Sequence, residues 1–251
     1  VGPRGREPRL RYEERPVELL YSVGLQRLDS GRYGEAVQFF QEVERQHPYS
    51  PWSRRSILMQ VFAHYERQNY EEAIAAADRY IQLYPGSPQV SYAYYMKAIC
   101  YFEQIVDVGR DQAAAGQALV ALTDVMRRFP ESQYATDARV KIDMVNDQLA
   151  GKEMEIGRWY LRRDQPLAAV GRFRRVVEHY QTTSHTAEAL YRMVEAYLTL
   201  GLTAEAERNA AVLGHNFPGS RWYSDAYNLV TEQGGTLEQE PQEEGWLRRL
   251  I

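Results

Sequence analysis

Small and apolar residues recur at fixed intervals along most of the chain, and the intervals predict pairs of helices. In the first of five segments, Gly24 is followed by Ala36 after 12 positions, by Val43 after a further 7, and by Pro48 after a further 5. The equivalent residues are Val61, Ala73, Tyr80 and Pro85 in the second segment, Ala98, Ala118, Val125 and Pro130 in the third, Gly157, Ala169, Val176 and Gln181 in the fourth, and Val194, Ala206, Leu213 and Pro218 in the fifth. Such a repeat in series is typical of solenoids in which each helical hairpin buries its apolar face against the next.

Two of the five segments depart from the common spacing. In the third, Ala98 and Ala118 are 20 positions apart rather than 12, so 8 residues are inserted between its helices. In the fourth, Gln181 stands where the other segments have proline. The stretch before Gly157, residues 133–163, contains no proline, so we expect one long helix there or two helices that abut near Gly151.

The pattern predicts an all-α fold, a tetratricopeptide-repeat (TPR) solenoid of five helix-turn-helix repeats with about ten helices, elongated and curved. Small residues at the first two positions of each segment let the two helices of a hairpin approach closely, so the alanine at the second position should be buried. Proline then ends the second helix, because it lacks a backbone N–H and clashes with the preceding turn. A serine two residues later can cap the next helix with its hydroxyl; these serines are Ser50, Ser87, Ser132 and Ser220.

The domain organisation follows from the repeats. We predict an N-terminal half at residues 17–130, with repeats 1 to 3, and a C-terminal half at residues 131–233, with repeats 4 and 5. Residues 1–16 and 234–251 lack helical periodicity and are rich in Pro, Gly, Glu and Arg. Such composition predicts mobile tails at both ends.

Composition and charge limit the function classes. A net charge of −4 gives no general attraction for nucleic acid, which is bound through clustered Lys and Arg, so we expect no nucleic-acid partner. The single cysteine, Cys100, lies in a helical stretch and is interpreted as a small core residue. The sequence contains no nucleophile, phosphate-binding or metal-binding motif. We therefore expect a protein that is not an enzyme and has neither a cofactor nor a metal.

Several stretches go beyond a generic TPR and resemble the BamD family, the TPR lipoproteins of the machinery that assembles β-barrel proteins in the Gram-negative outer membrane. They are HPYSPWS at residues 47–53, AADRYIQLYP at 76–85, YAYYMK at 92–97 and FPESQYATDA at 129–138. Similar order and spacing run from Leu19 to Tyr227, and include the insertion at residues 106–111 and the long helix before Gly157.

The resemblance implies a location at the periplasmic face of the outer membrane, with a lipid on an N-terminal cysteine as the anchor. This chain carries no such cysteine before Val1, so residues 1–16 would be the linker to an anchor missing here. The implied partners are the periplasmic domain of BamA, other lipoproteins of the assembly complex, and unfolded outer-membrane proteins as substrates.

Aromatic residues recur in the first helix of each N-terminal repeat, at offsets that face the inner surface of a TPR array. We expect substrate peptides to bind there, because an exposed apolar trough suits extended segments rich in aromatic and aliphatic residues. The candidate residues are Tyr21, Leu25, Phe62, Tyr65, Tyr92 and Tyr95. The alternative is that the long N-terminal segment covers these positions, or that they, with Leu58 and Ile99 beside them, only fill the core.

Three arginines in the fourth repeat are candidates for docking on BamA. Arg172 aligns with an arginine that the resembled family pairs with an acid on the last periplasmic domain of BamA, and Arg174 and Arg175 lie beside it. The alternative interpretation is a solvated basic face, since Arg158, Arg162 and Arg163 cluster nearby.

Two function classes remain open from the sequence. The first is a scaffold and substrate-recognition subunit of outer-membrane protein assembly. The second is another TPR adaptor, in cell-envelope coordination or pilus assembly; an enzyme ranks behind both.

Overall fold

A computed structural model describes residues 14–105 and 112–237. Within these ranges the chain forms eleven helices and no strand, which confirms the all-α TPR prediction. The helices are α1 (Val17–Asp29), α2 (Tyr33–Gln46), α3 (Pro51–Glu66), α4 (Tyr70–Leu83), α5 (Val90–Glu103), α6 (Gln112–Arg128), α7 (Gln133–Arg162), α8 (Pro166–His179), α9 (Thr186–Thr199), α10 (Thr203–Asn216) and α11 (Arg221–Glu232).

The helices pair into the five predicted hairpins, and one further helix follows them. The odd-numbered helices α1 to α9 are the first, or A, helices of the hairpins, and the even-numbered ones are the B helices. The helix beyond the expected ten is α11, which packs against α9 and α10 and buries Ala226 and Val230. A terminal helix of this kind covers the apolar face that the last hairpin of a solenoid would otherwise leave in water. The uncertain stretch before Gly157 is one helix, α7, of 30 residues.

The small residues of the repeat are where the sequence predicted them to be buried. The alanines at the second position, Ala36, Ala73, Ala118, Ala169 and Ala206, are all 0% exposed. The first position faces a residue of the B helix, and the two are complementary in size. A Cβ on Gly24 would lie 2.7 Å from the ring of Phe40, and one on Gly157 would lie 2.4 Å from that of Phe173. Where the first position holds a residue larger than glycine, the B-helix residue in the same buried cluster is smaller than phenylalanine. Ala98 shares a cluster with Leu122, Val61 with Ala77, and Val194 with Ala210.

Three of the four predicted serine caps are present. The hydroxyl oxygens of Ser50, Ser132 and Ser220 accept from the backbone N–H three residues later, at 3.1, 3.2 and 3.2 Å. The prediction for Ser87 is wrong, because α5 begins later, at Val90, and its N-cap is Gln89. The Ser87 hydroxyl instead bonds the buried hydroxyl of Tyr80 at 2.8 Å.

The chain divides into two compact units, Val1–Ile142 and Asp143–Ile251. In unit 1 each helix from α1 to α6 packs on the next, and the start of α7 joins them through Ala138, which is buried with Ala98 and Leu122. In unit 2, Ala150 and Met154 of α7 share one buried cluster with residues of α8 to α11. The predicted division at residues 130 and 131 stays a prediction.

The described ends of the two predicted tails are hydrogen-bonded to the helices. The backbone N–H of Arg15 donates to Gln46 at 3.1 Å, and that of Thr236 donates to Glu207 at 2.9 Å. The rest of both tails, and the predicted insertion at residues 106–111, lie outside the described residues.

Candidate binding surfaces

Five half-buried tyrosines gather in unit 1, from α3, α4, α5 and the first turn of α7. Tyr65, Tyr92 and Tyr95 pack on one buried cluster, and the ring of Tyr65 lies 6.1 Å from that of Tyr70. The ring of Tyr134 lies 6.0 Å from that of Tyr92 and stacks on that of Tyr95 at 4.9 Å and 28°. We call these five tyrosines the aromatic surface. The shared cluster beneath it consists of Val61, Ala76, Ala77 and Met96.

Charged groups of α7 fix one side of the aromatic surface. The Tyr95 hydroxyl donates to Oδ2 of Asp137 at 2.7 Å, and Nζ of Lys141 lies 3.1 Å from the same oxygen. The ammonium of Lys141 also lies 5.4 Å from the centre of the Phe102 ring, within the range of a cation–π contact. Hydrogen bonding and stacking together leave the Tyr95 side chain little rotational freedom.

Burial and charge shift the ionisation of these groups. Burial raises the pKa of Tyr92 to about 12, since the phenolate would be formed away from water. The pKa of Tyr95 is also raised, first by burial and then by its hydrogen bond to Asp137. Burial alone would raise the pKa of Asp137, but hydrogen bonds from Tyr95 and Lys141 lower it below its ordinary value. The phenols of Tyr92 and Tyr95 are therefore neutral beside an ionised carboxylate at physiological pH.

The structure brings together only part of the predicted substrate-binding set. Tyr65, Tyr92 and Tyr95 lie in the aromatic surface. Tyr21 belongs to another cluster, where its ring lies 5.5 Å from Phe40 and 4.9 Å from Trp52. Leu25 and Phe62 are half-buried. Leu58 and Ile99 are 7% and 5% exposed, so the core interpretation holds for these two.

Sequence reasoning missed Tyr134, although a signal for it exists. In three places, an aromatic residue two positions after a capping serine packs against a tyrosine of the preceding A helix. The pairs are Trp52 on Tyr21 at 4.9 Å, Tyr134 on Tyr95 at 4.9 Å, and Trp222 on Tyr191 at 5.2 Å. The tyrosine lies three positions before the first small or apolar position of its segment each time. The recurrence of Ser-x-aromatic at residues 50–52, 132–134 and 220–222 would have indicated that Tyr134 packs against Tyr95.

The predicted docking arginines lie on α8 in unit 2 and have different partners. Nη1 of Arg172 and Nη1 of Arg175 donate to the two carboxylate oxygens of Glu153, at 3.2 and 3.4 Å. The Glu153 side chain is 8% exposed, whereas those of Arg172 and Arg175 are 33% and 57% exposed. Arg174 instead donates to the Tyr197 hydroxyl at 2.9 Å. A buried carboxylate thus holds two guanidinium groups side by side at the surface.

No helix in residues 14–105 and 112–237 is both long and apolar enough to span a bilayer, and no group of three potential metal-ligating side chains occurs there. Cys100 is 0% exposed, as predicted, and burial raises the pKa of its thiol to about 12. A thiol that stays protonated in the core is a poor nucleophile.

Comparison with known proteins decides the family. Residues 13–213 match the model of the YfiO family, described as "Outer membrane lipoprotein". The chain belongs to this family. It is 65% identical over 248 residues to an outer membrane protein assembly factor BamD of Caulobacter vibrioides, covering 99% of this chain and 81% of that protein. The BamD of Rickettsia prowazekii is 44% identical over 215 residues, 86% of each chain.

Family membership confirms the resemblance found in the sequence. The matched range includes all five tyrosines of the aromatic surface as well as Glu153 and the arginines that it holds. Among solved structures, the chain is similar to the TPR2AB domain of yeast Sti1 in complex with pHSP90. That similarity has a TM-score of 0.44 and 12% identity, and it covers 87% of this chain and 85% of that one.

Proposed function

We propose that this protein is a non-enzymatic scaffold and substrate-recognition subunit of outer-membrane β-barrel assembly. The observation that carries the proposal is the 65% identity, over 99% of this chain, to a protein named as an outer membrane protein assembly factor. The proposed partners are BamA, the other lipoproteins of the assembly complex and unfolded outer-membrane proteins. The proposed location is the periplasmic face of the outer membrane, with an N-terminal lipid as the anchor.

The aromatic surface is the proposed substrate site. Its rings are partly exposed and are held by stacking and by the hydrogen bond of Tyr95 to Asp137, so little side-chain entropy would be lost when a peptide binds. Half-buried tyrosines present flat apolar faces to a ligand and keep a hydroxyl for its backbone. Extended segments rich in aromatic and aliphatic residues, such as barrel strands, fit this chemistry. Tyr21, Leu25 and Phe62 remain proposed contacts beside it.

Peptide titration tests the substrate site. A fluorescent peptide with the sequence of a barrel protein's C-terminal strand should bind the wild type, and Phe62→Ala and Tyr65→Ala should each weaken binding by about 1–2 kcal/mol if the rings are anchors. Tyr49→Ala is the matched control, since Tyr49 is fully exposed and lies outside the surface. Binding that is equal in the wild type and in the Phe62→Ala/Tyr65→Ala double variant would refute the site.

The proposed BamA contact is the guanidinium pair on α8. Glu153 neutralises one of the two positive charges and fixes both side chains, so the pair presents free N–H groups and one net charge to an acid on BamA. Arg174 is the third proposed contact, although its bond to Tyr197 turns it to a different neighbour. This pre-ordered pair favours docking over a merely solvated basic face.

Charge reversal tests the docking proposal. Arg172→Glu should reduce the amount of BamA that co-purifies from outer membranes. Arg208→Glu is the control, because Arg208 is an exposed arginine of the same unit that pairs only locally with Glu205. A circular-dichroism melt checks that the variant still folds. Undiminished co-purification of BamA with a folded Arg172→Glu protein would remove Arg172 from the interface.

A further inference from the structure

Unit 2 carries a second group of aromatic residues, and each is stacked by an arginine. The guanidinium of Arg163 lies 4.3 Å from the ring centre of Trp159 at the end of α7, and that of Arg221 lies 4.3 Å from Trp222 at the start of α11. On α9 between them, Arg192 lies 5.4 Å from the ring of Tyr191 and 5.7 Å from that of Trp222. We call these six residues the arginine–aromatic strip: Trp159, Arg163, Tyr191, Arg192, Arg221 and Trp222.

An ion pair links α7 to α9 in this strip, and a cation–π contact links α9 to α11. Arg158 of α7 lies 3.0 Å from Glu188 of α9, and Glu188 lies 3.3 Å from Arg192, whose guanidinium reaches Trp222 of α11. Arg158 and Trp159 also line one shallow depression of about 450 Å³, so they open onto the same surface. The other residues that line it are Glu155, Ile156 and Arg162.

The charges on this surface do not balance. Glu188 and Glu195 are bound to Arg158 and Arg192, and Glu155 lies 3.9 Å from Lys152. Three exposed arginines then remain with no ion pair among the described residues: Arg162, Arg163 and Arg221. Two acids are also without an ion pair there: Asp164, which follows Arg163 in the chain, and Asp225 of α11, which acts on Tyr191 through its charge. The surface therefore has an excess of positive charge.

A guanidinium stacked on an aromatic ring keeps its N–H edge free for a carboxylate. We propose that the arginine–aromatic strip binds an extended, acidic segment of a partner polypeptide. Packed helix axes are about 8–10 Å apart and an extended chain advances about 3.3 Å per residue, so every third residue would reach the next helix. Arg192 is already held by Glu188 and Glu195, so carboxylates about six residues apart would meet Arg163 and Arg221, and intervening aromatic side chains would lie on the rings.

A polypeptide fits this surface better than an anionic membrane does. Glu188, Glu195 and Asp225 lie among the arginines and would repel a continuous sheet of phosphate groups. An extended chain can place its acids on the arginines alone. The strip shares no residue with the aromatic surface of unit 1 or with the Glu153 pair, and the proposal rests on neither.

Two capped nine-residue peptides test the proposal, one with three repeats of Glu-Ser-Tyr and one with three repeats of Gln-Ser-Tyr. By fluorescence anisotropy at low salt, the wild-type protein should bind the Glu peptide about 10-fold more tightly, the effect of two exposed charge pairs. The preference should shrink as salt is raised. Arg163→Gln/Arg221→Gln should lose most of it, while Arg127→Gln/Arg208→Gln, which removes two exposed arginines elsewhere, should keep it.

Several results would overturn the proposal. The proposal fails if the wild type binds the Glu peptide and the Gln peptide with equal affinity. It also fails if a folded Arg163→Gln/Arg221→Gln protein keeps the full preference for the Glu peptide. If the same double variant instead loses binding to vesicles of anionic phospholipid, with no preference between the peptides, the strip is a lipid surface. Binding of the barrel-strand peptide should be unchanged in this variant, which separates the proposal from the substrate site in unit 1.

Discussion

The hydroxyl of Tyr95 lies 2.7 Å from Oδ2 of Asp137, and this contact ties the third A helix to the first turns of α7. It joins residues 42 positions apart, across the segment at 106–111 that the structure does not describe. The same bond lowers the pKa of the carboxyl and raises that of the phenol. Both shifts stabilise the fold, and each does so over its own pH range.

High pH should destabilise both units. The pKa values of Tyr92 in unit 1 and Tyr191 in unit 2 are raised to about 12, in both cases first by burial. An unfolded tyrosine ionises near pH 10, so between about pH 10 and 12 the unfolded chain loses protons that the folded chain keeps, and its free energy falls relative to the folded state. This contribution is complete below pH 10 and disappears by about pH 12. Tyrosinate absorbance and circular dichroism should therefore show late-titrating tyrosines and unfolding in this window; titration of all tyrosines near pH 10 in an intact fold would contradict it.

Gly157→Ala should destabilise the fourth hairpin. The added Cβ would lie 2.4 Å from the ring of Phe173, which is 0% exposed and cannot move aside, so the expected loss is about 1–3 kcal/mol. Gly171→Ala is the matched control in the partner helix α8, because nothing lies within 4 Å of its Cβ position. That change should stabilise the protein by about 0.5–1 kcal/mol through helix propensity. Urea denaturation measures both, and gains of equal size would show that helix propensity, and not the contact with Phe173, governs these sites.

Ser87→Ala should be costly because it leaves the Tyr80 hydroxyl, in a side chain that is 0% exposed, without its partner. We expect a loss of about 1–3 kcal/mol from the unsatisfied buried group. In a Tyr80→Phe background the same serine change should cost much less, since the orphaned hydroxyl is gone. A double-mutant cycle should give a coupling of about 0.5–3 kcal/mol. Additive effects would mean that the serine acts only through its other contacts.

Glu153→Gln should release the guanidinium pair with little change in volume. Losing charge-assisted hydrogen bonds to Arg172 and Arg175 should lower the free energy of unfolding by about 1–3 kcal/mol. If the pair docks on BamA, co-purification should weaken too, because the guanidinium groups are no longer held. Glu155→Gln is the control: its side chain is 68% exposed, and the change should stay within about 0.5 kcal/mol. Thermal melts that match between the two variants would show that the buried carboxylate adds no stability.

Much of the fold could be predicted from the sequence because hairpin packing is a local property. Gly24 and Phe40, or Val61 and Ala77, must fit together at one fixed separation whatever the remainder of the chain does. The buried alanines and the cap at Ser220 follow from the same regular spacing. Ser87 fitted the cap pattern as well, but α5 begins later, and the serine hydroxyl forms a hydrogen bond with the Tyr80 hydroxyl instead.

The candidate sites were less predictable. Periodicity placed Tyr65, Tyr92 and Tyr95 on a common face, since each offset is counted within a single helix. Tyr134 and Asp137 lie at the start of a 30-residue helix, about 20 positions before Gly157, which is the first small residue of that repeat. Counting positions from Gly157 therefore did not indicate that they contact Tyr95.

The sequence by itself determined the repeat and its five hairpins, because each depends on residues a fixed number of positions apart, but it left open whether one helix or two form the stretch before Gly157. Only the tertiary structure decided which side chains meet between repeats. It set Tyr134 of the fourth repeat on Tyr95 of the third. Contacts between repeats depend on the angle at which successive hairpins stack. That angle depends on the packing of many side chains at once, and no single spacing in the sequence specifies it.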